Sequence, residues 1–212
     1  MIEIGQKIMT ASVSVVEMFR RWEHEGEEEW SEFLEKLAAP QTPQMKAGDA
    51  FHAAIEGCGV TEGKGEFLEI SAKGYLFNFE EFDGELTLGQ LQEMPVNKMY
   101  GPLLIRGRCD DVSGGTITDY KLTFSSFDAD RYLESYQWRF YMDILKCHTF
   151  TYQVFEGYDN YREGRIDVRK LHTLKLYRYE ELHNDCQRVA ERFYEVALRH
   201  PQIAKLRDES EL

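Results

Sequence analysis

The sequence has no long apolar stretch and only five prolines and four cysteines among 212 residues. No apolar run approaches the roughly 20 residues that span a bilayer. The first residues, 1–5, lack the basic and apolar regions of a secretion signal. With 42% hydrophobic and 30% charged residues, the composition is typical of globular proteins. A cytoplasmic protein without membrane contact is therefore expected.

The four cysteines, Cys58, Cys109, Cys147 and Cys186, are isolated from one another. None belongs to a C-x-x-C pair, and no cysteine and histidine have zinc-finger spacing. In a chain expected in the cytoplasm, free thiols are favoured over a disulfide framework. The same isolation predicts that no iron–sulfur cluster is bound.

Basic residues are outnumbered, since 25 Lys and Arg face 38 Asp and Glu, for a net charge of −13. Proteins that coat nucleic acid need Lys and Arg to neutralise phosphates, so that class is disfavoured. Part of the acidity is local, in the runs at 23–29 and 208–211. Basic residues still cluster at Arg106 and Arg108, and again between Arg162 and Lys170.

Apolar periodicity predicts an alternation of helices and strands. Thr10 or Ser12 is the expected cap of the first helix. Helices are predicted over residues 13–22, 27–37, 46–55, 128–146 and 179–198, and strands at 67–70, 75–79, 103–107, 116–121, 149–156 and 166–176. This order favours one domain of α/β (α+β) class, with helices flanking a mixed sheet. Its helical part covers about 10–57 and its core about 66–200.

Two carboxylates and a lysine are predicted to meet near the middle of the chain. The turn at 113–115 makes the flanking strands a hairpin, which brings Asp110 beside Asp119. Asp119 and Lys121 are two residues apart on a strand, so their side chains share a face, opposite Tyr120. Such a D-x-K pair is common and could be an ordinary exposed edge. The neighbouring Asp110 favours a site, with Asp111 as a turn residue.

Two helices carry further candidate polar groups. Gly48 and His52 lie on one helix face, where a small glycine would permit close approach of another element and the histidine could reach a metal. A lone helical histidine is more often a satisfied core or surface residue. Gln137 and Tyr141 also share a face, where they could hydrogen-bond the lysine, a carboxylate or a phosphate. Taken alone, they are an ordinary pair.

Four motifs in this order resemble the PD-(D/E)XK nuclease superfamily, and within it the RecB-like branch. They are Gly48-x-x-x-His52, Gly107-x-x-Asp110, Asp119-x-Lys121 and Gln137-x-x-x-Tyr141. That branch includes the nuclease domains of RecB and the AddAB proteins, the CRISPR-adaptation exonucleases and small phage exonucleases. The resemblance implies a restriction-endonuclease-like core, which is a mixed sheet flanked by helices.

The resemblance also implies roles for individual residues. His52, Asp110, Asp119 and the backbone carbonyl of Tyr120 would bind Mg²⁺ or Mn²⁺, and a histidine ligand favours Mn²⁺. Lys121 would position or activate water, and Gln137 and Tyr141 would complete the site. Candidate DNA contacts are Arg108 and Arg139. Some members carry an iron–sulfur cluster on one early and three late cysteines. Only two cysteines are late here, so no cluster is expected.

The leading hypothesis is a metal-dependent DNA exonuclease acting in phage or prophage recombination, replication or repair. A structure-specific or restriction-type endonuclease of the same fold is a second hypothesis. The net charge of −13 favours a third, an acidic protein-interaction module without catalysis. The expected partners are DNA and a protein such as a recombinase, a single-strand-binding protein or a helicase. The oligomeric state stays open.

Overall fold

The computed structural model describes residues 7–25, 30–58, 61–63, 69–80, 82, 86–88, 93–158 and 163–200. Its elements in chain order are β1 (Met9–Ser12), α1 (Val13–Glu25), α2 (Trp30–Ala38), α3 (Pro43–Cys58), β2 (Thr61–Gly63), β3 (Glu69–Ala72), β4 (Tyr75–Asn78), β5 (Leu86–Leu88), β6 (Met94–Tyr100), β7 (Leu103–Cys109), β8 (Asp111–Ser113), β9 (Thr116–Thr123), α4 (Ala129–Glu134), α5 (Gln137–Leu145), β10 (Thr149–Tyr158), β11 (Arg165–Tyr177) and α6 (Leu182–Arg199). Several predicted features lie outside the described residues, namely 27–29, 67–68, Arg162 and the acidic run at 208–211.

The described strands form two mixed sheets and one small antiparallel pair. The larger sheet has the order β3-β4-β11-β10-β9-β8, and the smaller has the order β1-β7-β6. Neighbours are parallel at β9–β10, β4–β11 and β1–β7, and antiparallel elsewhere. Helices flank these sheets, which confirms the expected α/β (α+β) class with a mixed sheet. None of the described helices is long and apolar enough to cross a membrane.

The two faces of the larger sheet border different apolar cores. On one face, Phe51 and Ala54 of α3 pack with Phe77, Phe155 and other buried residues of the sheet. The other core lies among the smaller sheet and the helices α1, α5 and α6. Tyr120 is buried in the α3 core, as the strand period predicts. The side chains on either side of Tyr120 in β9 therefore face the other way.

The chain passes from one sheet to the other at Asp110. The hairpin around Gly114 and Gly115 joins β8 to β9, and both glycines have positive φ, as a two-residue hairpin turn requires. The strand that enters Asp110 is β7, which pairs with β1 and β6 instead. The prediction of a hairpin was correct, but its assignment to residues 103–107 was wrong. Sequence periodicity does not distinguish a strand that stays in one sheet from one that leaves it.

The predicted long helix over 128–146 is two helices. Asp128 caps α4 by accepting hydrogen bonds from the N–H groups of Asp130 and Arg131, and Ser135 is extended, with φ −60° and ψ 139°. The start of α5 is stabilised by the buried Glu17 of α1, whose Oε2 accepts a hydrogen bond from Tyr136 N at 2.6 Å. A carboxylate at a helix N-terminus compensates the unpaired N–H groups there. A partner more than a hundred residues away cannot be read from local periodicity.

The remaining predictions differ from the structure mainly in their boundaries. Ser12 caps α1, since its hydroxyl accepts from Val15 N at 3.3 Å. Helix α3 begins earlier than predicted, with Pro43 in its first turn and Thr42 Oγ1 accepting from Met45 N. A proline suits this position because its missing N–H would be unpaired there in any case. The short β1 and the whole of β6 were not predicted.

Candidate functional site

The site forms where the pairing of β8 with β9 ends. That pairing runs only from Ser113 opposite Thr116 to Asp111 opposite Thr118. Asp110 lies one residue before β8 and bonds to β9 beyond the end of that pairing. Its Oδ2 accepts a hydrogen bond from Tyr120 N at 2.8 Å. Asp110 is 8% exposed. The sheet edge is thus completed by a carboxylate instead of a further strand residue.

Asp119 and Lys121 stand on β9 beside this edge and face the same way. Lys121 Nζ lies 2.8 Å from Asp119 Oδ2. The other carboxylate oxygen, Oδ1, accepts a hydrogen bond from Gln137 Nε2 at 3.2 Å. Gln137 is the first residue of α5, so the break after α4 sets the position of this amide. The structure therefore brings together three residues that the sequence placed in the site.

His52 reaches the same edge from the opposite face of the sheet. It lies on α3, whose residues pack against the Tyr120 side, and its Nδ1 is 3.6 Å from Asp110 Oδ2. Burial and the nearby Lys121 ammonium lower the pKa of His52, which favours the neutral imidazole at pH 7. A neutral imidazole is the form that binds metals.

Gly48 does not have the role that its position suggested. A Cβ at Gly48 would meet no atom within 4 Å. The expectation that this glycine permits close approach of another element is therefore wrong. The close approach occurs at Gly107 instead, where a Cβ would lie 2.5 Å from Tyr141 Cε1 and 3.0 Å from Val13 Cγ2. Tyr141 is 5% exposed and lies against β7 because residue 107 has no side chain.

The pKa values of Asp110 and Lys121 are strongly shifted by their surroundings. Burial, and next the Asp119 carboxylate, raise the pKa of Asp110 to about 7, against the opposing effects of Lys121 and the Tyr120 N–H. Burial lowers the pKa of Lys121, but the carboxylates of Asp119 and Asp110 outweigh it, and the pKa is raised overall. Two carboxylates close together in a poorly hydrated place repel each other, so the site attracts positive charge.

The donor chemistry of these residues suits a divalent cation. Asp119 Oδ2 is buried and has no aligned hydrogen bond, although Lys121 Nζ touches it, so this oxygen keeps a free lone pair. Carboxylate oxygens are the donors that Mg²⁺ prefers, and an added imidazole suits Mn²⁺. Within the described residues, no three His, Cys, Asp or Glu side chains already stand together as a ligand group. Cation binding would therefore replace some of the present contacts.

The two arginines proposed as DNA contacts have different surroundings. Arg108 is exposed and pairs with Glu93, with Nη1 2.6 Å from Oε2. Arg139 instead donates to the backbone carbonyls of Glu134 and Ser135. Its guanidinium also lies 4.6 Å from the ring centroids of Tyr136 and Trp138. Arg139 thus joins the end of α4 to the start of α5, and its prediction as a DNA contact gains no support from these contacts.

Glu93 is a neighbour of the site that the sequence interpretation missed. Burial and Asp119 are the larger causes of the raised pKa of Asp110, and the charge of Glu93 adds to them. At His52 burial lowers the pKa, and the charge of Glu93 partly opposes that effect. Glu93 directly precedes β6, an element that was itself not predicted. Recognition of β6 and of its pairing with β7 would have pointed to this carboxylate.

Comparison with known proteins adds little to this geometry. No protein-family model and no curated protein matches the sequence. Among solved structures, the crystal structure of SSO0001 aligns over 92% of this chain and 79% of that chain, with a TM-score of 0.49 and 16% sequence identity. A likeness at this level says nothing about function.

Proposed function

We propose that this protein is a divalent-metal-dependent deoxyribonuclease that hydrolyses phosphodiester bonds from DNA ends. The observation that carries the proposal is the convergence of Asp110, Asp119 and Lys121 at one strand edge. Burying two carboxylates beside each other is costly unless a cation compensates them. Lys121 supplies one positive charge, and a divalent cation would supply the rest. The resemblance to RecB-like nucleases supports the same interpretation.

The metal would be held by His52, Asp110 and Asp119, with the backbone carbonyl of Tyr120 as the remaining protein ligand. The lone pair left on Asp119 Oδ2 and the raised pKa of Asp110 support this assignment. When bound, Mg²⁺ or Mn²⁺ would act as a Lewis acid that stabilises negative charge on the phosphate oxygens.

The remaining residues act by position and charge. The Lys121 ammonium has three N–H donors and touches Asp119, so it can orient the attacking water and stabilise charge on the phosphoryl oxygens. Gln137 holds Asp119 through Oδ1 and leaves Oδ2 beside the lysine, where it would be available to a bound cation. Tyr141 fills the space beside Gly107 and supports this arrangement from the α5 side.

The direct test is a digestion assay on purified protein with linear duplex, linear single-stranded and closed circular DNA. Loss of linear DNA alone is expected in Mg²⁺ or Mn²⁺, with none in EDTA. Lys121→Ala and Asp110→Asn should lower the rate by about 10²–10³-fold or more. Asp111→Asn is the matched control, because Asp111 is the neighbouring carboxylate on β8. The Asp111→Asn protein should cleave DNA at the wild-type rate. Full activity in a pure Lys121→Ala preparation would refute the mechanism.

Two other outcomes would point to the alternative functions. Cutting of closed circles would identify an endonuclease, because an exonuclease needs an end. No cleavage of any substrate would favour an acidic interaction module, the alternative that the net charge of −13 supports. A pull-down for basic partners would then follow, with recombinases, single-strand-binding proteins and helicases as first candidates.

A further inference from the structure

A cavity adjoins the candidate site on the side of the smaller sheet. Its volume is about 430 Å³. The polar and aromatic side chains that line it are Ser12, Ser14, Asn97, Arg106, Arg108 and Tyr141. None of the residues that the sequence placed in the metal site is among them. This cavity is therefore a separate feature from the carboxylate edge.

The cavity exists because β1 ends before its neighbour does. The pairing of β1 with β7 stops at Ser12 opposite Arg106, and the chain then turns into α1, while β7 continues to Cys109. On the other side of β7, Asn97 of β6 is also opposite Arg106. Three adjacent strands thus place a hydroxyl, a guanidinium and an amide in one row.

The lining is unusual for so acidic a protein. It contains two arginines and neutral hydrogen-bonding groups, and no carboxylate is among the lining residues. Arg106 and Arg108 are two apart on β7, so both lie on one face, and both are exposed. Arg108 also pairs with Glu93, which holds its guanidinium at the rim. Two arginines in a shallow cavity suit a phosphate group, since the guanidinium fork matches its oxygens.

The cavity is connected to the carboxylates through two residues. Gly107 lies between the two arginines, and a Cβ there would collide with Tyr141. Tyr141 lines the cavity and lies one helical turn from Gln137 on α5, and Gln137 Nε2 donates a hydrogen bond to Asp119 Oδ1. A strand of nucleic acid that reaches the carboxylates could therefore place another of its phosphates in the cavity.

We propose that Arg106 and Arg108 bind a phosphate of the substrate strand next to the phosphodiester bond that is cut. This proposal rests on the proposed nuclease function. The phosphate could be an internal diester or a terminal monoester, because both present anionic oxygens to the guanidinium groups. Binding of a terminal monoester would require a phosphate on the end of the strand, whereas binding of an internal diester would not.

The test is binding of fluorescent single-stranded oligonucleotides in EDTA, measured by anisotropy over a range of salt concentrations. Wild type is compared with Arg106→Ala, with the double variant Arg106→Ala/Arg108→Ala, and with Arg199→Ala as the matched control. Arg199 is an exposed arginine at the end of α6 that does not line the cavity. Oligonucleotides with a 5′-phosphate, a 5′-hydroxyl and a 3′-phosphate are tested in parallel. Circular dichroism establishes that each variant is folded.

The expected result is a loss of affinity of about tenfold for each cavity arginine at low salt. The slope of log K against log salt should become shallower by about 0.7 for each lost phosphate contact, with Arg199→Ala unchanged. An effect seen with all three oligonucleotides assigns the cavity to an internal phosphate. An effect confined to one phosphorylated end assigns it to a terminal phosphate.

The failures of the two proposals give different results. If wild type cleaves DNA but the double variant binds every oligonucleotide as wild type does, the cavity proposal is overturned and the nuclease function stands. If wild type cleaves nothing but the double variant still loses affinity, the phosphate site stands and the nuclease function fails. If wild type binds no oligonucleotide even at low salt, the cavity proposal is overturned as well.

Discussion

Replacing Gly107 by alanine should destabilise the protein through one defined collision. The new Cβ would lie 2.5 Å from Tyr141 Cε1, 3.1 Å from its hydroxyl oxygen and 3.0 Å from Val13 Cγ2. Carbon atoms prefer separations of about 3.5–4.0 Å, so the buried ring must move by about 1 Å. Overpacking of this kind lowers the free energy of unfolding by about 1–3 kcal/mol. Alanine also lowers the entropy of the unfolded chain, which raises the free energy of unfolding by about 0.4–1 kcal/mol. The centres of these two ranges give a net expected loss of about 1.3 kcal/mol.

The assay is urea unfolding at equilibrium, with Gly48→Ala as the matched control. Gly48 lies in α3, and a Cβ there meets nothing within 4 Å. Gly48→Ala should therefore raise the free energy of unfolding by about 0.5–1 kcal/mol, because alanine favours the helix. The two glycine substitutions should thus act in opposite directions, although both glycines belong to the motifs.

A double-mutant cycle tests the assigned cause. In a Tyr141→Leu background the colliding ring is gone, so Gly107→Ala should cost at least about 1 kcal/mol less than in wild type. A Gly107→Ala protein as stable as wild type would refute the argument. The same cost in both backgrounds would show that Tyr141 is not the cause.

Three further substitutions test the contacts that position the site. Glu17→Ala removes the acceptor of Tyr136 N and of Arg21 Nε and should cost about 1–3 kcal/mol in urea unfolding, with faster amide exchange at the start of α5. Thr42→Ala removes the cap of α3 and should cost about 1 kcal/mol. Asp143 is buried, but hydrogen bonds from Lys98, His183 and Tyr100 outweigh the burial and lower its pKa from 3.8 to about 2. Its ionised form therefore stabilises the fold above pH 4, and about 2 kcal/mol should be lost as the pH falls from 4 to 2. The Asp143→Asn protein should not show this part of the loss in the free energy of unfolding between pH 4 and pH 2. An equal loss in the variant and in wild type would contradict the role assigned to Asp143.

Much of the candidate site followed from local rules of chain geometry. The period of two along a strand places Asp119 and Lys121 on one face and Tyr120 on the other, and all three lie as those rules predict. The helical period likewise places Gln137 and Tyr141 on the side of α5 that faces β7 and β9. The turn glycines at 114 and 115 indicated the hairpin that brings Asp110 near Asp119.

Other features depend on partners that are distant in the sequence. The apolar pattern over 128–146 is continuous, yet the helix breaks there because Glu17 holds a second N-terminus at Tyr136. Arg139 is a surface cation in the sequence, but it donates to the carbonyls at that break. Glu93 and β6 were missed because their significance comes from pairing with β7.

The backbone periods of helices and strands are local properties, so the amino-acid pattern alone predicts which side chains share a face. The tertiary fold set which of these faces meet. It moved the chain from one sheet to the other at Asp110, made Gly107 instead of Gly48 the point of close approach, and opened a cavity beside Arg106 where β1 ends. Strand pairing and close packing join segments that are far apart in the chain, and no local pattern records which segments these are.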